Sequence, residues 1–174
     1  MIIFGVREKS IMVKNNGEEF EKIVYLGIRI LISQGEFFIN APYMKLFRKK
    51  GYYSFERKKN IITDISIEIY IKDPIKYTEI KPSIIIIIEC KDYSKALPVD
   101  DVEEFHAKLQ QIGADNTKGI IITRHALYQE GAINYAKSKG IMIMDWEKYD
   151  QVAYCYSSIE EIDESCAFVS DIVI

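Results

Sequence analysis

Residues 84–88 are five consecutive isoleucines, and the run ends abruptly on Glu89-Cys90-Lys91-Asp92. Five β-branched side chains in succession favour an extended strand with no polar face. That is the pattern of a strand covered on both sides at the centre of a parallel or mixed sheet. Taking a charged side chain out of water costs on the order of several kcal/mol unless it is paired or bound to a metal. Glu89 and Lys91 nevertheless stand at the mouth of this strand, and being two apart they leave the same face of the sheet. The pair fits either a functional carboxylate–amine site or an ordinary ion pair at a strand end.

A chain of 174 residues can bury one good core, so a single domain over 1–174 is the expectation. With 48% apolar and 28% charged residues, the composition is that of a globular chain and not a disordered one. No apolar run reaches transmembrane length, and Arg7, Glu8 and Lys9 interrupt any signal-peptide pattern, so no membrane partner is expected. Cys90, Cys155 and Cys166 form no Cys-x-x-Cys pair and have no histidine at ligand spacing. An odd number of such cysteines points to a reducing, cytoplasmic compartment, and against a disulfide scaffold or structural zinc. The net charge of −3 neither advertises nor excludes nucleic-acid binding, which depends on local charge.

The order of elements is mixed α and β. Phe20, Ile23, Val24, Gly27, Ile30 and Leu31 recur at helical spacing over residues 18–33, and Gln34-Gly35 closes that helix. The basic-aromatic segment 48–60 reads as a hairpin arm or short strand. Strict alternation then predicts a half-buried strand, with Ile61, Ile65, Ile67, Ile69 and Ile71 on one side and Asp64, Ser66 and Glu68 on the other. After the isoleucine strand come a helix behind Pro98 (Val102, Phe105, Leu109, Ile112), a strand at Ile120–Thr123, a helix over 128–139 ending at Gly140, and a strand at Ile141–Met144. This strand–helix–strand rhythm implies a partly parallel sheet. The tail from Trp146 reads as an extra helix or an edge strand.

If the strand carrying Asp64 pairs with the isoleucine strand, Asp64 and Glu89 converge. Two hard oxygen ligands with room for water suit Mg²⁺, with Mn²⁺ as a substitute, and the main-chain carbonyl of Cys90 offers a third oxygen. A lysine beside such an ion helps deprotonate a water nucleophile and stabilises charge building on a phosphate. Glu68 is a rival to Asp64 as the first acid.

The segment Ile84–Asp92, followed by Val99-Asp100-Asp101-Val102-Glu103-Glu104-Phe105, then Asn116-Thr117-Lys118-Gly119-Ile120-Ile121-Ile122-Thr123 and Ala132–Ile141, resembles the PD-(D/E)XK nuclease superfamily. The likeness is to its Mrr-like restriction endonuclease branch and spans about residues 17–145, leaving 146–174 as a C-terminal extension. It implies an α/β, restriction-endonuclease-like three-layer α-β-α core with a central mixed sheet of about five strands. It further implies Mg²⁺-dependent DNA endonuclease activity, with Asp64, Glu89 and Lys91 catalytic and with Asp64, Glu89 and the Cys90 carbonyl on the metal.

Members of that family often add a glutamate from the first helix, for which Glu18, Glu19 and Glu21 compete. Glu18 lines up with Lys22 and Arg29 on a solvated stripe, whereas Glu21 lines up with Tyr25, Ile28 and Ile32 on an apolar one. Glu21 is therefore selected as the assisting carboxylate. The alternative is that all three acids serve the helix dipole.

The clusters Arg48-Lys49-Lys50 and Arg57-Lys58-Lys59, with Tyr52, Tyr53 and Phe55 between them, stand just before Asp64. They are candidates for holding DNA phosphates, or equally a solvated hairpin rim. His106 beside an apolar stripe and His125 in a loop read as structural, and Cys90 lacks nucleophile machinery. Gln110 and Gln111 lie near the site without an assigned role. The leading expectation is a metal-dependent DNA endonuclease. A catalytically silent binding module of the same fold, and a nuclease subunit whose partner supplies target recognition, are the alternatives, since no helix-turn-helix or zinc motif is present for reading sequence. Cutting both strands of a duplex takes two active sites, which fits a homodimer.

Overall fold

The computed structural model describes residues 17–93, 95–124 and 127–146, together with the backbone of 153–154. The isoleucine run becomes β5 (Ile84–Lys91) and lies inside a mixed sheet. Its antiparallel neighbour is β4 (Ile65–Ile69), and β1 (Met44–Arg48) flanks β4. On the other side β6 (Thr117–Thr123) and β7 (Met142–Asp145) follow in parallel, and β8 (Ala153–Tyr154) closes that edge antiparallel to β7. Five of the six strands have four residues or more, and the edge strand answers one of the two readings of the tail. The remainder of 147–174 and His125 lie outside the described residues.

Alternation along the strands divides the core in two. Ile86, Ile88, Ile120 and Ile122 face α1 (Gly17–Gln34), packing on Phe20, Val24 and Ile28. Ile85, Ile87, Ile121 and Ile143 face α2 (Val99–Gly113) and α3 (Glu130–Lys139), meeting Val102, Phe105, Leu109, Ala132 and Ala136. The result is the expected three-layer α-β-α architecture. Parallel neighbours require a long connection, and α2 and α3 are those connections. Three of the helix ends match their sequence signals. Gly35 takes φ 74° after α1, Gly140 takes φ 63° after α3, and Asp100 and Asp101 sit in the first turn of α2, where the helix dipole favours anions.

Two expectations change. The inward ridge of α1 is Phe20, Val24 and Ile28, while Ile23 and Ile30 are exposed. The alternating strand of residues 61–71 is also not one half-buried strand. It splits into β3 (Lys59–Ile62), a break at Thr63-Asp64, and β4, whose Ser66 and Glu68 are buried along with Ile65 and Ile67. The cause is a hairpin of β2 (Gly51–Ser54) and β3, which folds over the polar side of β4 and drops the Tyr52 hydroxyl between Ser66 Oγ (2.9 Å) and Glu68 Oε1 (3.0 Å). Alternation reports chemical type, and the hairpin converts a polar face into an interior one.

Gly119 in β6 shows how tightly α2 sits. A Cβ there would come 2.5 Å from Leu109 Cδ1 and 2.8 Å from Phe105 Cε1. Gly119→Val is expected to cost about 1–3 kcal/mol through overpacking, read as a lower urea midpoint at unchanged slope. An unchanged midpoint would show that the α2 layer is looser than its packing indicates.

Candidate active site

The last β4–β5 pair is Ile65 with Ile88, and one residue further along stand Asp64 and Glu89. Asp64 reaches across the strands, its Oδ2 accepting the main-chain N–H of Cys90 at 3.0 Å. Asp64, Glu89 and Lys91 are thereby gathered at one end of the sheet. Glu68 pairs with Ile85 at the other end of β4, so the rival acid is remote from Glu89.

On the α1 side, Glu21 is buried, with its side chain only 3% exposed. Arg48 Nε stands 2.7 Å from its Oε1 without the N–H aimed well enough for a hydrogen bond, and Arg48 also pairs with Glu18 at 3.3 Å. The Lys49 ammonium contacts Glu21 Oε2 and lies 2.9 Å from Asp64 Oδ1. Glu21 and Asp64 are thus joined through a lysine. Burial lowers the proton affinity of Lys49, but hydrogen bonds to Glu21 and Asp64 and their charges outweigh it, so the pKa rises.

On the α2 side, Glu89 Oε1 receives Lys108 Nζ at 3.0 Å and Lys91 Nζ at 3.3 Å. Lys91 is 3.9 Å from Asp101 Oδ1. Burial lowers the Lys91 pKa, while Glu89, Tyr93 and Asp101 raise it, and the net direction is upward. Lys91 is consequently an ammonium at neutral pH, suited to donating hydrogen bonds and stabilising negative charge. Lys108 and Asp101 escaped the sequence reading. A signal existed: Asp101, Glu104 and Lys108 fall at i, i+3 and i+7 on α2, one helical face beside the apolar stripe.

The basic clusters are largely engaged. Arg48 and Lys49 serve the acids just described. Lys50 is held by Glu68 Oε1 at 2.5 Å and lies 3.8 Å from the centroid of the Phe47 ring. Arg57 donates to Gln111, while Lys58 and Lys59 are exposed near the exposed Tyr53 and Phe55. His106 shares contacts with Tyr135 (3.2 Å) and Gln110 (3.3 Å) at the α2–α3 junction, away from Glu89 and Asp64. The thiol of Cys90 is pushed up by burial and by Asp64, Glu21 and Glu89 around it, which disfavours the thiolate.

For a divalent ion the donor chemistry is appropriate: hard carboxylate oxygens from Asp64 and Glu89, with the Cys90 carbonyl on the main chain between Glu89 and Lys91. Among the described residues no group of three His, Cys, Asp or Glu side chains is arranged to hold a metal by itself. Water and substrate oxygens would complete such a shell, as Mg²⁺ commonly requires. No described helix is long and apolar enough to cross a membrane.

Residues 38–152, more than half of the chain, match the Mrr-type family described as restriction endonuclease. Asp64, Glu89 and Lys91 fall inside the match, while Glu21 on α1 falls outside it. Among solved structures, the crystal structure of a protein of unknown function, AF1548, is similar in fold at 16% identity and a TM-score of 0.51. The likeness covers 74% of this chain and 59% of that protein, so the chain spans well under two thirds of its length. No protein of curated function matches the chain.

The buried Glu68 network behind the site is a measurable electrostatic element. Burial raises the Glu68 carboxyl, but hydrogen bonds from Lys50, Tyr70 (2.5 Å to Oε2) and Tyr52 together bring it below its ordinary value. A depressed folded-state pKa stabilises the protein above the unfolded value, and that contribution is lost as pH falls through the folded value. Urea midpoints should therefore fall on acidification below about pH 4.5, and Glu68→Gln should lose less of its own stability over that interval. Equal acid sensitivity in the two proteins would remove Glu68 as the source.

Proposed function

Because the chain belongs to the Mrr-type restriction endonuclease family, we propose that it hydrolyses DNA phosphodiester bonds with a divalent cation held by Asp64 and Glu89 and with Lys91 directed at the scissile phosphate. The observation that carries this reading is the Asp64–Cys90 hydrogen bond, which ties the acid before β4 to the main chain between Glu89 and Lys91. Preorganised groups on rigid strands lose little freedom when a substrate binds, and that favours catalysis. The ion is Mg²⁺, replaceable by Mn²⁺, with the Cys90 carbonyl as a third protein oxygen. When bound, it supplies Lewis acidity and lowers the pKa of a water nucleophile.

The chain's own groups divide the remaining work. Lys91 donates hydrogen bonds to a phosphate oxygen or to the attacking water, and its raised pKa keeps it charged for that purpose. Asp101 and Lys108 orient Lys91 and Glu89 from α2. Glu21 assists from α1, held by Arg48. Of the two basic clusters, Lys58 and Lys59 are the cations best placed for DNA phosphates, with Tyr53 and Phe55 beside them. A homodimer would supply the two sites that a double-strand cut requires.

Lys91→Ala should lower kcat for Mg²⁺-dependent DNA cleavage by about 10²–10⁴-fold. Glu89→Ala and Asp64→Asn should also abolish cleavage, and in addition weaken Mn²⁺ binding, with circular dichroism showing the fold intact. Cleavage that proceeds undiminished in EDTA would refute the mechanism.

One observation favours a binding-only module of the same fold: each candidate acid has a lysine on it, Lys49 at Asp64 and Lys91 and Lys108 at Glu89. Tight DNA binding with no turnover in Mg²⁺ or Mn²⁺ would select that reading.

A further inference from the structure

The carboxylates of Glu21 and Asp64 are each half committed. One oxygen of each has a donor or cation fixed by the fold: Glu21 Oε1 faces Arg48, and Asp64 Oδ2 accepts the Cys90 N–H. The remaining oxygens, Glu21 Oε2 and Asp64 Oδ1, converge on a single group, the Lys49 ammonium. Two carboxylate oxygens from different elements meeting at one positive centre is the coordination pattern of a cation, and here a side chain supplies the charge.

Lys49 is built differently from the other partners. It lies in the turn after β1 with φ 54°, a left-handed conformation that non-glycine residues seldom adopt. Its backbone is pinned to the break that carries the acid, since Lys49 N–H donates to the Asp64 carbonyl at 2.9 Å. Its side chain is 45% exposed, against 28% for Arg48, and ends in a compact ammonium on a flexible stem. The main chain is therefore fixed while the charged end has a route into water.

The geometry points to Lys49 as a resident counter-cation that holds the Glu21–Asp64 position in the metal-free protein and is displaced when a divalent ion loads. The assignment rests on the reading of Asp64 as a metal ligand given above. In the metal-free state two carboxylates side by side, one of them buried, would repel, and the ammonium offsets that repulsion. In the loaded state the same ammonium would sit within a few ångströms of a doubly charged ion, so the two cations compete for the Asp64 carboxylate they share. Lys49 thus sets a threshold for metal loading, and once released its half-exposed end turns to solvent.

The test is Mn²⁺ titration, reading free Mn²⁺ by electron paramagnetic resonance, on wild type, Lys49→Gln, Asp64→Asn and the double variant K49Q/D64N. Lys49→Gln should bind Mn²⁺ about tenfold or more tightly, since even a partly screened neighbouring charge is worth that much, and D64N/K49Q should lose the gain. Metal-free Lys49→Gln should melt lower than wild type and gain more on adding Mn²⁺, a difference a purely structural ion pair would not produce. Equal Mn²⁺ affinity for wild type and Lys49→Gln, with Asp64→Asn weakened, would overturn the role of Lys49 and leave the metal reading standing. Absence of Mn²⁺ binding in every form would overturn both. Should Lys49→Gln fail to fold with Glu21 left underpaired, E21Q/K49Q compared with Glu21→Gln poses the same question without the buried charge. A gain in Mn²⁺ affinity there supports the assignment, and no gain refutes it.

Discussion

A strand that opens with five isoleucines offers water no polar face along that run, and the architecture follows from covering it twice. Ile86 and Ile88 are closed over by α1, Ile85 and Ile87 by α2 and α3. With each buried aliphatic side chain contributing roughly 1.5–3 kcal/mol, β5 is the element the rest must accommodate. The strand runs on past its apolar part into Glu89, Cys90 and Lys91 without losing its pairing to β6. Charged groups are therefore carried on a strand paired within the sheet, which sets their positions.

At this end of the sheet the acids fall into two groups, distinguished by the cations that hold them. Toward α1, Arg48 and Lys49 neutralise Glu21 and Asp64. Toward α2, Lys91 and Lys108 neutralise Glu89. A main-chain hydrogen bond from Cys90 links the two, so the strand itself is part of the electrostatic design. Of the basic residues that look like a nucleic-acid surface in one dimension, Arg48, Lys49 and Lys50 are here counter-ions to acids. Their number reflects the number of acids that must be kept near one another at this end of the sheet.

Much of this was legible beforehand. The three helices, the central strand and the α/β order come from periodicity and from Gly35, Pro98 and Gly140, because these signals are local. The inward orientation of Glu21 followed from its place among Tyr25, Ile28 and Ile32. The burial of Ser66 and Glu68 was not legible, since nothing local tells an exposed polar face from one covered by a hairpin. The partners of Arg48, Lys49 and Lys50 were not legible for a related reason: adjacent residues in a tight turn diverge to Glu21, Asp64 and Glu68, which lie apart in the chain.

The sequence by itself determined where a two-sided core strand lies, which charged residues stand at its tip, and that helical crossovers follow it. Those properties depend on side-chain type and on periods of two and 3.6 residues, which the chain carries at every point. The tertiary structure alone decided that Asp64 and not Glu68 stands beside Glu89, that Lys108 and Asp101 join Lys91, and that Lys49 occupies the space between two carboxylates. Each is a question of strand register and of which turn folds over which face. A shift of one residue in the β4–β5 pairing would have sent Asp64 away from Glu89 without altering the composition of either strand.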